Sequence, residues 1–206
     1  MKTEVLPISD PGAIRHAADV LQQNGLVAFP TDTVYGVGAL AFQAQAVEKL
    51  YNIKGRAKEK AIPVLIAHAA DLGRVARELT PAAQRLAEKF WPGPLTLVVS
   101  KQASLPEAVS ATATVGVRVP DQPFTQKLLE LTGPLAVTSA NLSGAPDALT
   151  AEEVLAQLSG RIEVVLDGGK VLGGRPSTVV DCSGVSPKIL RAGPISTSDI
   201  NQALLE

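Results

Sequence analysis

The sequence is poor in several of the residue types that carry common chemistries. Of its 206 residues one is a cysteine, Cys182, so no disulfide can close within the chain and no cysteine-rich zinc site can be built. Two histidines, His16 and His68, stand far apart and match no metal-ligand spacing. Aromatic residues make up only 3%. None interleaves with basic residues as a base-stacking surface requires. Charge of neither sign predominates: 19 basic and 20 acidic residues leave a formal net charge of -1. The whole chain is therefore no electrostatic nucleic-acid binder, although a local basic face is compatible with that balance. No apolar run reaches the roughly 18 residues of a membrane helix. The opening MKTEVLPISD lacks the charged-then-apolar layout of a signal peptide. The expectation is a soluble, cytoplasmic protein with no membrane association.

What is present describes a globular α/β chain. Hydrophobic residues make up 46%, and the length suits one domain, residues 1–206, with its motifs within about 11–195. Asp10-Pro11 reads as an N-cap and first helical residue, and Asn24-Gly25 as the stop of that helix. Strands are expected at 26–30, 37–41, 62–67, 95–100, 115–119, 135–139, 164–167, 178–182 and 188–191. Helices are expected at 43–51, 69–77, 80–90, 124–131 and 150–158, the last opened by a capping box at Thr150, with a short one after Thr197. Apolar strands interleaved with amphipathic helices imply one mixed β-sheet flanked by helices. The closely spaced last strands read as antiparallel additions.

Generic motifs fail. Gly168-Gly169-Lys170 is followed by Val171 and lacks the upstream glycine of a P-loop; Gly36-Val37-Gly38 lacks the third glycine of a dinucleotide fingerprint. No serine sits in G-x-S-x-G. Cys182 ends an apolar run and reads as a core residue. His16 reads as solvent-facing, His68 as non-catalytic, and Trp91-Pro-Gly-Pro94 as a turn from helix to strand. What remains is a set of polar loops that follow apolar strands, where ligands bind in open α/β sheets. Lys49, Lys54, Arg56, Lys58 and Lys60 crowd twelve residues with Glu59 as the one acid. Such a cluster is either a solvated loop or a polyanion clamp. The Ser139-to-Gly144 segment is either a strand-ending turn or a ligand loop. Arg118 interrupts the apolar strand VGVRV, so it needs a ligand or a structural carboxylate unless it lies at an edge.

The ordered set PTDTVYG, KGR, FWPGPLTLV, VGVRVP, SANLSG, PSTVVD and ILRAGPI resembles the YrdC-type threonylcarbamoyl-AMP synthases, over about Leu26 to Ile195. Both pairs cited for active members are intact, K-x-R as Lys54/Arg56 and S-x-N as Ser139/Asn141. The resemblance implies a twisted α/β fold around a concave basic cleft. It also implies a nucleotidyltransferase joining L-threonine, bicarbonate (or CO2) and ATP into threonylcarbamoyl-AMP and pyrophosphate, for modification of adenosine 37 in certain tRNAs. Longer relatives carry an extra C-terminal domain, and this chain resembles the short bacterial form.

The resemblance also implies roles residue by residue. Thr33, Arg118, Ser177 and the backbone near Val137 would hold threonine. Arg56, Lys60, Ser139, Asn141 and Arg191, with backbone near Thr114 and Asp147, would hold ATP. Lys54 and Arg56 would serve catalysis, with Lys54 placed between carboxylate and phosphates. Replacing either by alanine is expected to cost turnover and leave the melting temperature within a few degrees. Mg2+ would accompany ATP with no carboxylate cage of its own. A tRNA threonylcarbamoyl transferase complex would consume the product. Some relatives place a histidine in the threonine wall; here Leu65 aligns with it, and His68 follows three places later. Two competing readings are a double-stranded RNA or tRNA binding module on the same basic concavity, and a relative that has kept the fold and lost the activity.

Overall fold

The computed structural model describes residues 2–205. Strands β1 (Glu4–Pro7), β2 (Val27–Phe29), β3 (Gly36–Leu40), β4 (Val64–Leu65), β5 (Leu95–Ser100), β6 (Thr114–Arg118), β7 (Leu135–Ser139), β8 (Val164–Asp167), β9 (Thr178–Asp181) and β10 (Lys188–Arg191) form one sheet. Its order is β1-β8-β2-β3-β7-β4-β6-β5-β9-β10. It is mixed. β8 runs parallel to β1 and β2, β4 to β6, and β5 to β9, while the remaining pairs are antiparallel. The late strands are thus not all antiparallel additions. A helix before β8 and the 168–177 loop before β9 carry the chain across the sheet, so both strands enter parallel to a neighbour.

Strand alternation divides the core between two faces. Ala28, Val37, Val64, Ala136 and Val165 point into the larger cluster, against helices α2 (Ala44–Lys54), α3 (Pro81–Phe90), α5 (Ala151–Leu158) and α6 (Thr197–Leu205). Val27, Phe29, Leu65, Leu135, Val137 and Val164 point into the smaller one, with α1 (Ala13–Gln22) and α4 (Pro123–Thr132). Because both faces of the central strands are covered, VAF of β2 and GVGAL of β3 are buried at every position.

Local chemistry moved several boundaries. The Asp10 side chain accepts from the Gly12 amide at 2.8 Å in a turn, so α1 starts at Ala13 and not at Pro11. At its other end Asn24, and not Gly25, takes the left-handed conformation, with φ of 61°. Expected strand 62–67 shrinks to two residues because Pro63 has no amide for the ladder, although its carbonyl still accepts from Val137 at 2.9 Å. Expected helix 69–77 is a 3-10 turn over Ala69–Arg74; Gly73 weakens the helix there. At Thr150 the box is half made. Thr150 caps the Glu153 amide, but the Glu153 carboxylate accepts from Leu149 at 2.6 Å. β1 is an addition that the sequence pattern did not foretell.

Candidate functional site

On the face shared by Leu65 and Val137, beyond the cover of α1 and α4, the sheet floors a cavity of about 320 Å3. Among the sequence-predicted residues, Thr33, Arg56, Arg118, Val137, Ser139, Asp147, Ser177 and Arg191 line it. Thr31, Leu65 and Thr96 line it as well. Its charged lining residues are three arginines and one aspartate, so the cavity suits an anion.

One wall is built around Arg118, which is only 6% exposed at the end of β6. Its Nε donates to the Gly93 carbonyl at 2.9 Å, Nη1 to Thr33 Oγ1 at 2.9 Å, and Nη2 to Asp32 Oδ1. Burial lowers the pKa of the guanidinium, and the Asp32 carboxylate opposes that shift. Of the alternatives open to this arginine, the structure supplies a structural carboxylate, Asp32, within the PTDTVYG loop. The second Asp32 oxygen is buried and has no partner. The loop is also pressed from behind. A Cβ on Gly173 would collide with the Asp32 carbonyl and the Thr33 Cα.

A second wall comes from β5, β9 and β10. Ser177 Oγ lies 2.8 Å from Thr96 Oγ1, and the Arg191 Nη2 donates to the Ser177 carbonyl at 2.8 Å and to its hydroxyl at 3.1 Å. Thr96 lines this wall because strand alternation turns it away from Leu95 and Leu97. The sequence pattern carried no signal beyond that period of two. Asp32 did carry one: it is an acid inside a run of small hydroxyls, and a half-buried arginine was in need of an acid.

Lys54 and Arg56 part company across the left-handed Gly55, whose φ is 59°. Arg56 turns outward to the cavity, its Nε and Nη2 held by the carbonyls of Lys60 at 3.0 Å and Ala61 at 2.9 Å. Lys54 turns inward and is only 4% exposed. Its ammonium donates to the carbonyls of Ser139 and Asn141 and, at 3.0 Å, to Asn141 Oδ1. All three of its protons are thereby taken. Burial first, then repulsion from Arg56, lowers the Lys54 pKa to about 8, with Asp147 opposing. The Ser139 hydroxyl donates to the same Asn141 oxygen at 2.6 Å, and Asn141 Nδ2 to the Ala145 carbonyl at 2.6 Å. Lys54, Ser139 and Asn141 thus form one knot, with Ser139 on its cavity side and Arg56 lining the cavity from its own loop.

Lys54, Lys60, Thr114 and Asn141 are not among the lining residues. Lys60 is exposed, and Thr114 bonds Thr112 at 3.1 Å through their hydroxyls. Of the two residues weighed for the wall that the resemblance implies, Leu65 lines the cavity, while His68 is exposed and paired with Glu130 at 2.9 Å. His16 pairs with Glu4 at 3.0 Å. The Cys182 thiol is buried, and burial raises its pKa to about 11, away from thiolate chemistry. Trp91 packs against the core and donates to the Leu95 carbonyl at 2.8 Å. Among the described residues no group of acids, histidines and cysteine could hold a metal ion, and no helix is long and apolar enough to cross a membrane.

Comparison with known proteins places this geometry. The Sua5/YciO/YrdC family model, described as "Telomere recombination", matches residues 19–193. A threonylcarbamoyl-AMP synthase of Pyrococcus abyssi is 40% identical over 195 residues, which cover 94% of this chain and 57% of that protein. A putative threonylcarbamoyl-AMP synthase of Mycobacterium tuberculosis is 38% identical over 98% of this chain and 95% of its own length. The crystal structure of Pyrococcus abyssi Sua5 complexed with L-threonine superposes with a TM-score of 0.94 at 37% identity, covering 98% of this chain and 61% of that one. This chain therefore spans about six tenths of the archaeal relative. With a family model over most of the chain and relatives this similar along nearly its whole length, the chain belongs to the Sua5/YciO/YrdC family.

Proposed function

We propose that the chain is an L-threonylcarbamoyladenylate synthase, condensing L-threonine, bicarbonate (or CO2) and ATP into threonylcarbamoyl-AMP and pyrophosphate, with one water released when the carbon comes from bicarbonate. The observation that carries this reading is a single cavity shared by the Thr33/Arg118/Ser177 wall and by Arg56, Ser139, Asp147 and Arg191. The threonine bound to the Pyrococcus abyssi relative supports the amino-acid side.

In this reading Arg118 takes the threonine carboxylate with guanidinium hydrogens left over from its three protein bonds. Thr33 and Ser177 meet the substrate hydroxyl, and Leu65 and Val137 pack its methyl. The threonine amine adds to CO2, and the carbamate oxygen approaches the α-phosphorus in line as pyrophosphate leaves. Carbamates survive only away from water, which the recessed wall excludes. Arg56, Arg191 and Ser139 hold the phosphates, so catalysis is positioning and charge neutralisation. Lys54 and Asn141 act from behind the lining by holding Ser139. Lys60, Thr114 and the backbone near Asp147 contact ATP where it extends past the cavity. Mg2+ fits this site as a passenger on the triphosphate, with Asp147 the one acid in the lining; it would neutralise phosphate charge. We place the reaction in the cytoplasm, ahead of a tRNA threonylcarbamoyl transferase complex that consumes the product in making threonylcarbamoyladenosine.

Pyrophosphate release tests the reading, with threonine and bicarbonate added to ATP singly and together. Release should need both. Full turnover on threonine in CO2-depleted buffer would mean an ordinary aminoacyl adenylate and would remove the proposal. A pure RNA-binding module would release none. Serine should serve moderately less well than threonine, since one methyl is worth roughly 1–3 kcal/mol, and valine far less well.

A further inference from the structure

Gly36 and Gly38 make no dinucleotide fingerprint, and no backbone demand explains them either. Both lie inside β3, in unbroken register with β2 on one side and β7 on the other. Neither has a positive φ. Glycine weakens a strand interior and packs nothing there, so its use marks a close approach by other atoms. Those atoms are side chains. A Cβ on Gly36 would stand 2.8 Å from Val137 Cγ1, and one on Gly38 would stand 3.1 Å from both Val137 Cγ2 and Phe29 Cε1.

Strand alternation turns both glycines to the cavity face of the sheet, opposite Val37 and Ala39. Val137 pairs directly with Gly38 and reaches diagonally over the bare backbone of Gly36. Its isopropyl group therefore lies down against the sheet. Gly38 stays beneath this packing, whereas Gly36 and Val137 both line the cavity. Valine is stiff at χ1, and its second methyl already stands over Gly38. A side chain at Gly36 would thus lift Val137 toward the cavity, where no core atoms oppose it.

We infer that Gly36 is a specificity-determining residue: by carrying no side chain it lets the Val137 isopropyl sink into the floor, and the depth so gained is the room for the methyl of threonine. The inference rests on the threonine reading above and deepens it, because it names what sets the preference over serine. Serine leaves that depth empty, and a side chain one carbon longer than threonine overfills it. A difference of one methyl is worth little unless the wall meets it closely, so the height of the floor decides how well the two are told apart.

Steady-state pyrophosphate release with threonine, serine and β-hydroxynorvaline, which is threonine lengthened by one methylene, reads that depth. In the wild type kcat/KM for threonine should exceed that for either other substrate roughly tenfold. Gly36→Ala should lower it roughly tenfold or more for threonine and less than about threefold for serine, with the KM for ATP within about twofold. In a Val137→Ala background the clash is gone, and the same glycine change should cost threonine less than about threefold, a non-additivity confined to groups in contact. Equal losses for threonine and serine, or the same loss in both backgrounds, would mean that the glycine serves the fold alone and would overturn the inference. Should Gly36→Ala not fold, Val137→Ala decides: β-hydroxynorvaline should gain roughly tenfold on threonine, and no gain overturns the inference. Serine serving the wild type as well as threonine would also overturn it while leaving the synthase reading intact. No pyrophosphate from any of the three is a different failure: it removes the synthase reading, and this inference with it.

Discussion

Lys54 and Arg56 are two residues apart and do opposite work. Arg56 faces the cavity with only its own loop holding it, so Arg56→Ala should lower turnover roughly ten- to hundred-fold, the worth of a lost charge-assisted contact. Its melting temperature should move by less than about 3 °C, because no core group is orphaned. Lys54→Ala takes the ammonium from the Ser139 and Asn141 carbonyls and from Asn141 Oδ1, which keeps only the Ser139 hydroxyl; each acceptor left bare costs about 1–3 kcal/mol when buried. At about 2–4 °C per kcal/mol for a chain of this size, its melting temperature should fall by roughly 5 °C or more. This corrects the expectation that both alanine variants would leave stability alone; equal melting temperatures would restore it.

Lys54 also gives the site an alkaline limit. Above its pKa of about 8 the neutral amine has two protons for three acceptors and turns a lone pair on one of them. Turnover should fall with a midpoint near that value. Stability moves the other way through this group. An unfolded lysine keeps its ordinary 10.5, so between the two values the unfolded chain binds more protons and raising the pH favours the folded state. Melting curves beside the pH–rate profile decide: activity lost in step with melting temperature would assign the limb to unfolding.

At the scale of elements, the cavity depends on loops clamped between strands. Loop 30–35 is held against Gly173 of the 168–177 loop, where the atoms a side chain would meet are backbone. Gly173→Ala should therefore displace Asp32 and Thr33 together and raise the KM for threonine more than that for ATP. An unchanged threonine KM would mean that the loop yields at no cost to the wall. Most elements were legible because their local signals agreed with the fold: Thr80-Pro81 caps α3 as the sequence implied, and LTLVVS and LAVTS became strands without change. Failures came where one residue overrode a pattern. Pro63 cut an apolar run of strand length to two residues, and Asp10 spent its side chain on a turn before the helix began.

Across the whole molecule, the lining runs from Thr31 to Arg191, so a bound ligand ties the loop after β2 to residues of β3, β4, β5, β6, β7 and β10. Saturating threonine and ATP together should raise the melting temperature. At a hundred-fold excess over Kd one ligand adds about 2.7 kcal/mol, or about 5–10 °C here. A shift with ATP and none with threonine would argue against a joint site. The sequence by itself determined the class of fold, the order of nearly all its elements and the polar loops that mattered, because periodicity, caps and turn residues act over a few positions. It also marked Arg118 as a cation in need of an anion. Which anion that is, and which side of Gly55 each basic residue takes, were decided only by the tertiary structure. Those outcomes depend on partners that the sheet brings in from 85 or more residues away, such as Thr33 and Asp32 against Arg118, and Ser139 and Asn141 against Lys54. Nothing in a local window encodes such a distance.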